Sequence, residues 1–179
     1  MEYVHVYDVL TKARERLFDW VRPLSQEQYT QRFPFGLGTI RATLNEIARV
    51  ELLYAMRLRE EPVPPPPLTD SFPISEARQP AFADLEKAWT AQARDTRATL
   101  ARTSDWNKTV TRRFEQGNMV VITTVSKDEI AVQMLMHEVH HRAQVMAMLR
   151  QLGVDAQNLD YIGFVARREE YPKDKAPRA

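Results

Sequence analysis

Ile130 to Gly153, IAVQMLMHEVHHRAQVMAMLRQLG, reads as one long helix. Ser126 with Glu129 three residues on fits a capping box in front of it. Gly153 stands where such a helix stops. Ile130, Met134, His141, Val145, Met148 and Leu152 recur at three- and four-residue steps, which predicts one buried face. His137 lies one turn before His141, at the edge of that face. Three of the chain's four histidines, His137, His140 and His141, fall within five consecutive residues. Imidazoles on an apolar stripe are costly unless their ring nitrogens have partners.

Histidines at i and i+4 bring two nitrogens together on one side of a helix. That arrangement suits a divalent metal, which takes the lone pairs of neutral imidazoles. The alternative is a pair of core-edge histidines bonded to carbonyls or water. The same letters satisfy H-E-x-x-H, with Glu138 as general base and a third ligand elsewhere, such as Glu169 or Glu170. That reading predicts a metallohydrolase acting on peptides. Against it, a helix-rich chain has little sheet on which to align an extended substrate.

The chain has 179 residues, 44% hydrophobic and 27% charged, with a formal net charge of +1. It is long enough for one domain with a core of its own, expected over residues 1–168, with a loose tail at 169–179. Near-neutral charge gives no ground for a nucleic-acid partner. Cysteine is absent, which leaves no disulfide, no thiolate site and no cysteine nucleophile, so any metal must use His, Asp or Glu. The N-terminal MEYVHVYDVL lacks the layout of a signal peptide, and no apolar run approaches bilayer length. The expectation is a cytoplasmic protein without a membrane partner.

Three more long helices are predicted. The first runs from Tyr3 to about Val21 on a stripe of Val6, Leu10, Leu17 and Val21, with Lys12, Arg14 and Glu15 mostly off it. Pro23 ends it, His5 near its start is read as solvated, and Ser25 to Tyr29 forms a short extra turn. Thr39 is an N-cap for the second helix, which runs to about Arg59 and buries Ile40, Leu44, Ile47, Ala48, Ala55 and Leu58. Glu51 lies in the middle of that buried side and Glu46 nearer its edge. A carboxylate there needs a cation, a metal or a donor, and Arg142 or another arginine is the structural candidate for Glu51. Tyr54, on the inner side, is read as core filling or a pocket wall.

The proline run at Glu61–Pro67 should be extended polyproline II, opening a long crossover connection to about Gln79. Pro80 begins the third helix, to about Arg102, with Leu85, Trp89, Thr96 and Leu100 inward. Thr109–Phe114 and Met119–Val125, joined at Gln116-Gly117-Asn118, read as a β-hairpin. Asp160–Val165 is expected to be a docked extended segment. The fold class is therefore mainly all-α: a four-helix bundle with a long crossover connection and a small β-hairpin before the last helix.

The segment Met136-His137-Glu138-Val139-His140-His141-Arg142-Ala143-Gln144 resembles the H-x-x-H-H-R-x-Q segment of the DinB/YfiT-like family of metal-dependent proteins. Leu149–Val154 and Ile40–Glu51 are similar to that family's C-terminal run and its first metal-bearing helix. The resemblance implies a four-helix bundle holding one divalent ion (Zn, Ni, Mn or Fe) through three histidines. Two of them map onto His137 and His141. The third maps onto Glu46, so this chain carries a carboxylate there, and two histidines with one carboxylate is an established open combination. Glu51 is the fallback ligand. His140, Arg142 and Gln144 are expected around the ligands, with Arg142 a partner for Glu51.

The family also implies a stress-response setting and, in some branches, transferases that act on low-molecular-weight thiols, making a small thiol the expected substrate. Metal-bound thiol loses its proton and becomes a nucleophile. The competing reading is a non-catalytic homodimeric scaffold with a degenerate site, joined through hairpin edges.

Overall fold

The computed structural model describes residues 2–64, 68, 70–167 and 169. Expectations for Pro65–Pro67 and for the tail beyond Glu169 lie outside the described residues. The elements are α1 (Tyr3–Val21), α2 (Gln26–Thr30), α3 (Ile40–Leu58), α4 (Phe82–Arg102), β1 (Thr109–Gln116), β2 (Met119–Ser126), α5 (Lys127–Gln151) and α6 (Ile162–Val165). The protein is mainly helical with one small antiparallel sheet.

Helix ends follow local chemistry. The Thr39 hydroxyl accepts from Ala42 N–H at 2.9 Å, which starts α3. At α5, Ser126 Oγ accepts from Glu129 N–H at 3.2 Å while the Glu129 carboxylate accepts from Ser126 N–H at 2.7 Å. Gly153 closes α5 at φ +81°, a conformation that side chains with a Cβ rarely take. β1 and β2 pair from Thr109↔Ser126 to Gln116↔Met119 across the two residues Gly117 and Asn118. An isolated hairpin is marginal, and this one is anchored by Val110 and Val125 against the core. Asp160–Val165 is not extended: Gly163 N–H and Phe164 N–H bond back to Asp160 O and Tyr161 O, giving the single turn α6. Among the described residues no helix is long and apolar enough to cross a membrane.

The long helices touch in a ring: α3 packs on α4 and α5, and α1 packs on α4 and α5. Two apolar clusters fill its ends. One gathers Tyr3, Tyr7 and Leu10 of α1 with Leu58 of α3, Leu100 of α4 and Ile130, Ala131, Met134 and Leu135 of α5. The other gathers Leu17, Phe18 and Val21 with Ile40 and Leu44, Leu85 and Trp89, and Val145, Met148 and Leu149. The start of α1 and the start of α5 therefore share an end with the finish of α3 and of α4. Since α3 finishes where α4 also finishes, the chain must travel back along the length of the helices between them. That is the physical reason for the long 59–81 connection, which leaves Ile74 buried in the far cluster.

Between the clusters lies a buried layer of charge. The Arg14 side chain is 3% exposed. Its Nη2 donates to Glu51 Oε2 and to Glu138 Oε2, each at 2.6 Å, and its Nε donates to Glu138 Oε1 at 3.2 Å. Its guanidinium carbon sits 4.2 Å from the Trp89 ring centroid. Glu51 accepts three further bonds, from Tyr7 Oη at 2.8 Å and from Trp89 Nε1 and Thr96 Oγ1 at 2.9 Å each. Thus α1, α3, α4 and α5 all meet on one ion cluster. Burial, followed by the charge of Glu51, pushes the Tyr7 hydroxyl well above its ordinary pKa, so it remains a donor. The carboxylates hold Arg14 charged against its desolvation.

This layer corrects two expectations. Arg14 is not off the α1 stripe but at its centre, between Leu10 and Leu17. Glu51 does pair with an arginine, as its place on the buried side requires, but the partner is Arg14 and not Arg142.

Arg14→Met should cost about 3–5 kcal/mol, because it leaves two carboxylates buried without their cation. Adding Glu51→Gln and Glu138→Gln to Arg14→Met should recover much of that loss, as read from urea melts of the single and triple variants.

Candidate functional site

The ion layer fixes the rotation of α5, and that rotation builds the site. Glu138 and Arg142 point into the core and are 4% exposed each. His137 and His141, each one residue earlier, are carried about 100° round to the flank and are half-buried. His140 is turned further out and is exposed. The buried face of α5 thus contains Ile130, Ala131, Met134, Leu135, Glu138, Arg142, Val145, Met146, Met148 and Leu149. His141, expected on that face, stands at its border instead.

On the flank the imidazoles form a cluster. The rings of His137 and His141 lie 4.4 Å apart between centroids, edge to face, and those of His140 and His141 lie 4.9 Å apart. Gln144 ties two of them. Its Oε1 can only accept, so the 2.9 Å contact to His141 Nδ1 places a proton on Nδ1, and in the uncharged ring the lone pair is then on Nε2. Its Nε2 donates to His140 Nε2 at 3.1 Å. The loop at Phe33–Gly38 rests on this amide: a Cβ added to Gly36 would stand 2.9 Å from Gln144 Oε1, and Gly36 is at φ +58°. No other residue type fits there without moving Gln144.

Burial pushes the His137 pKa down to about 4, and the neighbouring His141 pushes the same way. The charge of Glu46 opposes both, so this carboxylate is near enough to act on the ring, and His140 lowers the value further. At neutral pH the His137 ring is uncharged and keeps a lone pair for a ligand. Glu46 itself forms an ion pair one turn along α3 with Arg49.

The other proposed site residues lie elsewhere. Glu51 is spent on Arg14, Tyr7, Trp89 and Thr96, so it is no fallback ligand. Glu138 faces Arg14 inside the core, away from the imidazoles, and its oxygens are taken, which removes the general base that the H-E-x-x-H reading needs. Among the described residues Arg142 donates only to Leu159 O, at 3.4 Å, with Glu138 Oε1 at 3.7 Å. Desolvation lowers its pKa. Tyr54 is half-buried under Arg57, whose guanidinium carbon is 5.5 Å from the ring centroid. His5 is exposed. Arg14 and Arg49, which decide the roles of the three acids, were missed as site residues. Their signals were present: Arg14 falls at i+4 from Leu10, and Arg49 at i+3 from Glu46.

A divalent ion fits part of this donor set. His137 and His141 supply two adjacent imidazoles, of which burial keeps His137 neutral and Gln144 orients His141. The third donor is engaged elsewhere: Glu46 is paired with Arg49, and among the described residues no group of three or more His, Asp or Glu side chains gathers at metal-binding spacing.

The fold and site together define a class: a mainly helical protein with a histidine pair in contact on the flank of its last long helix, and an acidic residue of the second long helix whose charge reaches one of the rings. A model of the DinB family matches residues 1–174, and the chain belongs to that family. No curated protein matches it.

In the unfolded chain His137 returns toward the ordinary pKa of about 6.5. As pH falls from there to about 4, the unfolded state binds a proton that the folded state does not. The stability contributed by the neutral ring is complete above that window and is lost on descending through it. His137→Gln should flatten this part of the stability–pH curve relative to the native chain, and histidine NMR should show one ring titrating near pH 4.

Proposed function

We propose that this chain is a four-helix-bundle protein that binds one divalent metal ion through His137 and His141, with Glu46 as third donor when it leaves Arg49. The observation that carries this reading is the ring pair. Two imidazoles one turn apart are in contact, His137 stays neutral at physiological pH, and Gln144 holds the Nδ1 proton of His141 so that Nε2 is free. Gln144 is the kind of outer partner that sets ring orientation and ligand basicity. The mixed nitrogen and oxygen donors suit zinc, nickel, manganese or iron, and three protein ligands leave a position open.

Such an ion, when bound, acidifies a thiol and makes it nucleophilic at neutral pH. That chemistry matches a transferase acting on a small cellular thiol. The chain's own contribution is orientation: Gln144 sets the His141 tautomer, Gly36 seats Gln144, and the ion layer of Arg14 with Glu138 fixes the face that α5 turns inward. A second reading has one observation in its favour. The Glu46–Arg49 pair closes the third position, and the hairpin exposes Met119, Val120 and Ile122. This combination suits a non-catalytic homodimer whose site is degenerate.

Calorimetric titration of tag-free, chelator-stripped protein with Zn, Ni, Mn and Fe(II) separates the two. The metal reading expects one ion per chain, no binding by His141→Ala, and affinity about tenfold weaker in Glu46→Gln. It also expects tighter binding in Arg49→Met, where the carboxylate is released. Absence of binding by both the native chain and Arg49→Met refutes it and leaves the scaffold. If metal binds, conjugation of small thiols to electrophiles by the loaded protein tests the transferase step.

A further inference from the structure

Arg142 raises a question that the metal site does not answer. Its side chain is 5% exposed, and a guanidinium carries five N–H donors. Among the described residues it makes one hydrogen bond, the 3.4 Å contact to Leu159 O. Its Nη1 is buried without a hydrogen-bond partner. The nearest carboxylate oxygen, Glu138 Oε1, is 3.7 Å away and already accepts from Arg14. Arg14 differs sharply, since two carboxylates hold it at 2.6 Å. A buried cation with so little compensation is expensive unless something else meets it.

The space to meet it exists. Arg142 lines a cavity of about 210 Å³ between the outer side of α5 and the 152–161 segment. Buried Met146 and Leu159 share its inner wall, and exposed Ala143, Arg150 and Asn158 lie at its mouth. Arg150 uses Nε on Ala156 O at 2.8 Å, and no other partner engages its guanidinium among the described residues. Asp160, also exposed, is the one acid of the lining; it accepts from Asn158 Nδ2. The lining therefore carries two cations against one anion.

We propose that this cavity binds a small oxyanion, a carboxylate or a phosphate, on Arg142 at its floor, with Arg150 closing over it from the mouth. Planar guanidinium groups recognise both oxyanions through paired N–H donors. The volume admits phosphate or a short organic acid and excludes a drug-sized ligand. Asp160 disfavours highly charged anions, so monoanions are preferred. The site is independent of the metal reading, because it uses neither the imidazoles nor Glu46.

The test uses inorganic phosphate and acetate as probes on the whole chain, with sodium chloride at matched ionic strength as control. About 10 mM of a bound anion should raise Tm by about 3 °C over that control and shift the Arg142 Nε–H resonance. Arg142→Gln should abolish the response and Arg150→Gln should weaken it. Ala143→Leu, at an exposed helical position that tolerates leucine, should block the mouth without unfolding the chain and remove the response as well. A response to either probe supports the site, and the stronger one identifies the oxyanion. If both probes behave like chloride, or if Arg142→Gln and Ala143→Leu respond as the native chain does, the cavity holds no more than water and the proposal fails.

Discussion

Arg14 is the charge around which the helices close. A guanidinium in a core is tolerable only when carboxylates meet it at short range, and here α3 and α5 each bring one to 2.6 Å. Glu51 then collects hydroxyl and indole donors from α1 and α4, so its oxygens are saturated. Apolar packing in the two end clusters supplies the driving force, but it is indifferent to small rotations of each helix. The ion layer is not indifferent. Each helix must present one particular residue at mid-height, which sets its azimuth and its height against the others.

The candidate site is a by-product of that azimuth. Turning Glu138 to Arg14 carries His137 and His141 to the border of the core, where burial keeps the His137 ring neutral and a ligand can still reach the pair. Had His141 taken the core position, its nitrogens would have had to bond inside the protein. The same rotation buries Arg142 on the other side, short of partners and beside a cavity. One structural constraint thus places two chemically different groups on opposite flanks of α5.

Glutamates illustrate how alike residues take unlike roles. Glu46, Glu51 and Glu138 are the same side chain on helices that touch. Glu51 and Glu138 neutralise Arg14 and are lost to chemistry, whereas Glu46 is held by a partly exposed Arg49 on its own helix. A surface-type i,i+3 pair is weak and exchangeable, unlike the buried one. The difference lies in dielectric surroundings and not in residue type.

Much was legible before any coordinates. The caps at Thr39 and Ser126, the stop at Gly153, the Gly117-Asn118 turn and the long helices follow from local chemistry, which acts within a few residues. The inward residues of α3 and α4 followed from periodicity, since those stripes are plainly apolar. Periodicity misleads where a charge is buried: it sets Arg14 mostly off the α1 stripe, and it puts His141 on a face that belongs to Glu138 and Arg142. The sequence by itself determined the elements and the imidazole cluster. Only the tertiary structure decided which acid each arginine takes, because ion pairing across helices depends on distances between residues 37 and 124 positions apart, which no local pattern encodes.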